Sequence, residues 1–343
     1  MRSRVIGGEY ELISIPDKAA KVKECHTYSS GRAALYQILR SIKLTTTKVW
    51  LPDWLCESMI DAVRKTRIDY GFYCLGNDLR MDVELFVKRN RPVNENDVIV
   101  LVNYFGLVDV ESTINQLRKC GVYSVIIEDD VQALFSFIDN KPYTADYRFT
   151  SLRKSIATPD GGLVKTQKSM PVAIQNNTFA PLKLKGALLK SSATEEGADE
   201  VYLKCFEEGE ELIEENYDSM MSSVSQSIFK NINLDKVAAC RKRNAQFLVA
   251  KLQELDITPI VPINNNCVPL FVPIVINNRD DLRRTLRQNA IYCPVHWPLR
   301  DDMKNMDRGS FMAENELSLV IDQRYSIEDM QCIADVIKNW ICK

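Results

Sequence analysis

Two stretches of this chain are wholly apolar and largely β-branched, Val98-Ile99-Val100-Leu101-Val102 and Val125-Ile126-Ile127. Runs of that kind are strands covered on both faces, the condition of strands inside a parallel sheet. Between them, Val110 to Cys120 reads as a helix, and Lys48-Val49-Trp50-Leu51-Pro52 reads as a further strand followed by a turn and helix. Strand, helix and strand repeating in this order predict an α/β fold with a mostly parallel sheet and right-handed crossovers. A chain of 343 residues is long enough for a large α/β core with a smaller unit attached.

The second apolar run stops at Glu128-Asp129-Asp130. Ligands in open α/β sheets bind just past the carboxyl ends of strands, so these acids stand where chemistry is usually done. Gln132 follows, and then Ser151-Leu152-Arg153-Lys154, with a Gly161-Gly162 turn seven and eight residues beyond the lysine. A lysine in a cleft can be tuned to act as a nucleophile toward carbonyls. Upstream, Thr27-Tyr28-Ser29-Ser30-Gly31 leads into a helix from Arg32, with Ser29 or Ser30 as its N-cap. The free backbone N–H groups and dipole of such a helix start favour an anion, in particular a phosphate.

This ordered set resembles the DegT-type (StrS-like) sugar aminotransferases, which are fold-type I pyridoxal-phosphate (PLP) enzymes. That family has a strand ending in Glu-Asp, a Gln or His three residues after the Asp, and a Schiff-base lysine ahead of a Gly-x-Gly-Gly turn. Asp129, Gln132, Lys154 and Pro159-Asp160-Gly161-Gly162 take those places, and the resemblance runs from Ile6-Gly7-Gly8 to Asp322-Gln323-Arg324-Tyr325-Ser326. It implies a large domain with a mostly parallel seven-stranded sheet between helices, residues 1–235, and a smaller C-terminal α/β domain, residues 236–343. A long helix at about 235–255 would join the two.

The resemblance also implies roles. Lys154 would carry the cofactor and move the proton. Asp129 would face the pyridine nitrogen, Gln132 the ring oxygen, and Gly31, Arg32 and a nearby hydroxyl the phosphate. Arg32 replaces the usual Thr, and Phe149 stands where the family has a serine, leaving Thr150 or Ser151 as the substitute, of which Ser151 is favoured. Counting from Pro52 puts Cys56 at the position that stacks on the pyridine ring, with Trp54 the nearby aromatic, and both stand as candidates. Asn103, in Asn103-Tyr104-Phe105-Gly106, takes the place of a family histidine. His296, in Tyr292-Cys293-Pro294-Val295-His296-Trp297-Pro298, is a candidate substrate contact. Asn216-Tyr217-Asp218-Ser219-Met220 does not reproduce in register the loop that reaches the partner subunit's site in the family. The implied activity is transfer of an amino group from an amino acid, usually glutamate, to a keto-sugar carried on a nucleotide, by a homodimer.

The remaining features set bounds. Forty-four basic against 46 acidic residues offer no field for a polyanion, so nucleic acid is not an expected partner. No apolar run approaches the roughly 18 residues of a membrane span, and a cytoplasmic location is expected. Ten cysteines lack CxxC spacing and only His26 and His296 are present, so a zinc site is poorly supported and most cysteines are expected to be small buried hydrophobes. Lys190 to Ala198 reads as a connection, Glu207 to Glu215 as the solvated face of a helix, and Ser326 as the cap of an amphipathic helix through Ile337. Two alternatives stand beside the aminotransferase. One is a lyase or dehydratase on the same fold, although the dehydratase branch replaces the lysine with histidine. The other is a non-catalytic binding protein. A dinucleotide-dependent oxidoreductase is disfavoured, because no GxGxxG follows an early strand.

Overall fold

The computed structural model describes residues 5–11, 25–139, 141–192, 198–298 and 307–342. A first short strand, β1 (Ile6–Gly7), lies outside the main sheet. The main sheet has seven strands: β2 (His26–Tyr28), β3 (Lys48–Pro52), β4 (Asp69–Tyr73), β5 (Val98–Val102), β6 (Val125–Asp129), β7 (Tyr147–Ser151) and β8 (Gly162–Lys165). Their spatial order is β2-β8-β7-β6-β5-β3-β4, and only β8 runs against its neighbours. Every residue of β5 is buried, the condition its composition predicts. The register sets Val102 beside Asp129 and Asp129 beside Phe149, so the ends of three strands share one edge.

Helices α1 (Gly31–Ile42), α2 (Glu57–Thr66), α3 (Val83–Asn90), α4 (Val110–Lys119) and α5 (Leu134–Ile138) connect these strands. Side chains start three of them: Ser30, Asp82 and Asp109 accept from the backbone N–H groups of Ala33, Leu85 and Ser112 at 3.1, 2.9 and 3.1 Å. The paired glycines have a definite task. A Cβ on Gly162 would lie 2.1 Å from the Ser30 carbonyl oxygen, and Gly161 has a φ of +127°. Only glycine lets β8 pass directly beneath the start of α1, where the Gly161 N–H donates to the Ser29 carbonyl at 2.7 Å.

After β8 the chain forms α6 (Phe179–Ser192) and α7 (Ala198–Glu215), which pack on each other. The first three residues of the connection expected from Lys190 are helical instead, because α6 continues through Ser192; residues 193–197 of that stretch lie outside the described residues. Then come α8 (Ser223–Asn231) and α9 (Leu234–Gln253), the long helix expected at about this place.

A second core forms from α9, β9 (Phe271–Val275), α10 (Arg279–Gln288), β10 (Ile291–Tyr292), β11 (Glu316–Val320) and α12 (Ile327–Ile341), while Met312 of α11 (Asp307–Asn315) packs into the core of the main sheet. Leu248, Val272, Leu282, Leu319 and Ile333 are fully buried within the second core. Ile6 belongs to this core too, because β1 pairs in parallel with β10. The cap at Ser326 is a complete capping box with Asp329. The cysteines depart from expectation. Only Cys205 and Cys293 of the ten are buried, Cys332 and Cys342 are exposed, and the others are half-buried on the flanks of elements.

Candidate active site

A cavity of about 690 Å³ opens at the carboxyl ends of β5, β6 and β7. Asp129, Gln132, Ser151, Lys154, Gly31 and Arg32 all line it, with Cys56 and His296. Residues spread over more than 260 positions of sequence thus meet around one space, because strand ends and a helix start converge there.

The floor is rigid. Asp129 is buried at the end of β6, and one carboxylate oxygen accepts from the Val131 N–H at 2.8 Å. Burial pushes its pKa up to about 7 against the pull of that N–H, with the neighbouring Asp130 adding to the rise. Because side chains alternate across a strand, Glu128 and Asp130 point the other way. Both meet Arg148, which bonds Asp130 Oδ2 through Nη2 at 2.6 Å and Glu128 Oε2 through Nε at 2.9 Å. Burial raises the pKa of both carboxyls, and the Arg148 charge opposes the rise. Gln132 turns its Oε1 to the Phe105 N–H at 3.1 Å, which fixes the plane of its amide.

Lys154 ends the 3-10 turn Leu152–Lys154 that follows β7. Its side chain is solvent-accessible in the cavity and has no hydrogen-bond or ion-pair partner among the described residues. The hydroxyls beside it divide. Thr150 donates to the Asp130 carbonyl at 2.6 Å behind the strand, whereas Ser151 lines the cavity. At the start of α1, a Cβ on Gly31 would lie 2.8 Å from Val131 Cγ2 and 3.3 Å from the Ser151 Cβ, so this helix end sits hard against the floor.

Two expected contacts lie elsewhere. Trp54 is not in the cavity wall; its ring stacks on Tyr104 at 5.1 Å and its Nε1 donates to the His296 carbonyl at 3.0 Å. Its apolar bulk is satisfied by core packing, and Cys56, two residues on, takes the wall. Asn103 is also absent from the wall, since its amide joins Asp130 Oδ1 at 3.1 Å to the Val108 N–H at 3.2 Å. It braces the acidic strand end from behind. His296 does face the cavity, with Nδ1 2.9 Å from the Ser318 hydroxyl and its ring 5.5 Å from both Phe105 and Phe271. The Asn216–Ser219 segment lies on its own chain's α1, where Asp218 Oδ1 accepts from Gln37 and Arg40, each at 2.8 Å.

The acidic stretch of α7 is not merely a solvated face. Glu210 binds Arg153 through both guanidinium Nη atoms and accepts from Lys183 at 2.8 Å, while Glu214 accepts from Arg32 Nη2 at 2.9 Å. Burial works to raise the Glu210 pKa, but the charges of Arg153 and Lys183 together outweigh it and hold the carboxylate below its ordinary range. Sequence periodicity gives no sign of these pairs, since each joins residues at least 27 positions apart.

A seven-stranded sheet with one reversed strand and a cavity at its strand ends is a fold this chain shares with solved structures of DegT-type sugar aminotransferases. Among the solved structures it resembles is a protein of Streptococcus pneumoniae assigned as a sugar aminotransferase and solved in its PLP form, at 15% identity and a TM-score of 0.67 over 98% of both chains. A DegT DnrJ EryC1 StrS aminotransferase from Brucella abortus follows at 17% identity and a TM-score of 0.62, covering 93% of this chain and 86% of that one. The GDP-4-keto-6-deoxy-D-mannose-3-dehydratase of E. coli with bound hydrated PLP matches at 14% identity and a TM-score of 0.62, covering 92% and 87%. No protein-family model and no curated protein sequence matches the chain.

Proposed function

We propose that this chain is a PLP-dependent aminotransferase that moves an amino group from an amino acid, glutamate in the first instance, to a keto-sugar linked to a nucleotide. The observation that carries the proposal is the convergence of Lys154, Asp129, Gln132, Ser151 and the start of α1 on one cavity. The residues fit the cofactor. Asp129 is a buried carboxyl that lines the cavity with a single backbone donor and no cation beside it among the described residues, an arrangement that a ring N–H⁺ would complete. Gly31 and Ser151 offer a helix start and a hydroxyl of the kind that holds phosphate.

When bound, PLP supplies an electron sink for charge developing on the donor's α-carbon. Asp129 would hold a proton on the ring nitrogen, and Gln132 would orient the ring oxygen. Lys154, without a partner of its own, would take the proton from the α-carbon and return it at the next position, which asks for a mobile amine at the end of a short rigid turn. Cys56 would lie along the ring face. Arg32 reaches the phosphate seat already paired with Glu214, so its contact differs from that of the threonine usual in the family.

The fold is shared with the E. coli dehydratase, so the fold does not separate the two reactions; Lys154 favours transamination. The test is the visible absorbance of the purified protein with added PLP, before and after excess glutamate, beside Lys154→Ala. A band that requires Lys154 and bleaches with glutamate is expected. A lysine-dependent band indifferent to glutamate would favour the lyase reading, and no lysine-dependent band would remove the enzyme reading and leave a binding protein.

A further inference from the structure

Helix α10 carries four arginines in ten residues, and they divide by the side they face. Arg279 binds Asp280 at 2.7 Å and Arg284 binds Asp281 at 2.8 Å, both acids of the same helix. Arg283 and Arg287 instead line the cavity, and neither is paired with a carboxylate among the described residues. They stand one helical turn apart. Like charges at this spacing destabilise a helix, so the arrangement is unfavourable for the protein alone. Burial, and then the charges of Arg287 and Arg279, push the Arg283 guanidinium pKa down, with Asp280 only partly opposing. Among the described residues Arg283 makes one bond, a 3.3 Å donation from Nε to the Cys293 carbonyl, and its terminal nitrogens have no partner there.

We infer that Arg283 and Arg287 form a clasp for the diphosphate of a nucleoside-diphosphate-linked sugar, holding it across the cavity from Lys154. Guanidinium groups bind phosphate oxygens in bidentate fashion. Residues four apart on a helix have Cβ atoms about 5–6 Å apart, so two long side chains based there can reach two linked phosphates, where a single carboxylate would occupy only one. The clasp stands on a helix of the C-terminal core, whereas Asp129 ends β6 and Lys154 ends the turn after β7, so a ligand touching both would bridge two parts of the fold. A cavity of about 690 Å³ has room for such a ligand. The nature of the sugar's carrier rests on the function proposed above.

The test is isothermal titration calorimetry of the full chain with uridine, thymidine and guanosine diphosphates, without sugar. Arg283→Gln/Arg287→Gln should weaken the binding of whichever of these the wild type takes by about tenfold or more, and Arg283→Lys/Arg287→Lys should retain most of it. Both side chains lie at the surface of the cavity, so circular dichroism should show the same helix content in all variants. The glutamate concentration that half-bleaches the visible band, read in the same variants, separates a role toward the donor's carboxylates from the clasp. Equal binding by wild type and the Gln variant, or no binding of any nucleoside diphosphate to the wild type, overturns the clasp. A raised glutamate requirement with nucleotide binding intact would also overturn it and assign the pair to the donor's carboxylates. If the band never forms, the proposed activity fails while the calorimetry still decides the clasp.

Discussion

The floor of the cavity and the wall opposite it are built on different principles. The floor comes from adjacent strand ends whose positions are set by sheet register, and its polar groups are buried and mutually bonded, as in Asn103–Asp130–Arg148–Glu128. The wall comes from helices α7 and α10, and its charges meet in pairs at the rim or have no carboxylate partner among the described residues. A buried charge network tolerates little change, because a single deletion strands an ion in a medium that cannot solvate it. A rim pair can be altered at small cost, since water replaces the missing partner. The floor is therefore suited to a constant ligand and the wall to a variable one.

The largest effect expected from this contrast is on the floor. Arg148→Met leaves Glu128 and Asp130 buried together and should lower stability by about 3–5 kcal/mol, read as a fall in the urea midpoint. A loss below about 1 kcal/mol would show the network to be solvated and erase the distinction. Asp129 comes next. In cofactor-free protein its pKa of about 7 lies above its unfolded value, so the folded state keeps a proton that the unfolded state has already released. Stability should fall as pH rises from the ordinary aspartate range to about 7, and Asp129→Asn should abolish this slope. The variant is thus expected to gain up to about 2 kcal/mol on wild type between pH 5 and pH 7, with much less gain once PLP is bound. An unchanged difference between variant and wild type across that range would place the carboxyl in water.

The smallest effect is on the wall. Glu210→Gln should cost about 1 kcal/mol at neutral pH and low salt, reduced from a buried pair's value because the carboxylate is 38% exposed. The Glu210 pKa is depressed, so its contribution is present above the ordinary glutamate range and fades as pH falls through the folded value. The gap between variant and wild type should close in acid and in high salt. A loss as large as that of Arg148→Met would mean that wall and floor form one network.

The same contrast explains what could be read from the residues alone. Val98–Val102 and Val125–Asp129 announce themselves because both of their faces are covered, and α1, α9 and α12 carry their own caps and stripes. The Asp129, Gln132 and Lys154 spacing is local, so the floor is written in order along the chain. Helix α6 escaped notice because it has no clean apolar stripe and Pro181 sits in its first turn, a place helices tolerate. The wall's ion pairs escaped because an acidic run looks the same whether it faces water or a distant arginine. Trp54 and Cys56 could not be separated by counting, since that depends on which residue the Tyr104 ring claims. Asn103 occupies a family position yet turns away, because Asp130 offers its amide a buried acceptor.

The pairing of Ile6 with Ile291 and the 2.7 Å bond from the Gly7 N–H to the Tyr325 hydroxyl carry a consequence for biosynthesis. At the usual pace of about 5–20 residues per second, the ribosome needs roughly 15–60 s to make the strand that β1 waits for. The sheet and the strand ends that carry Asp129 can be made during that interval, before β10 exists to pair with β1. This side of the cavity therefore depends on a contact that cannot form until the C-terminal core has been made.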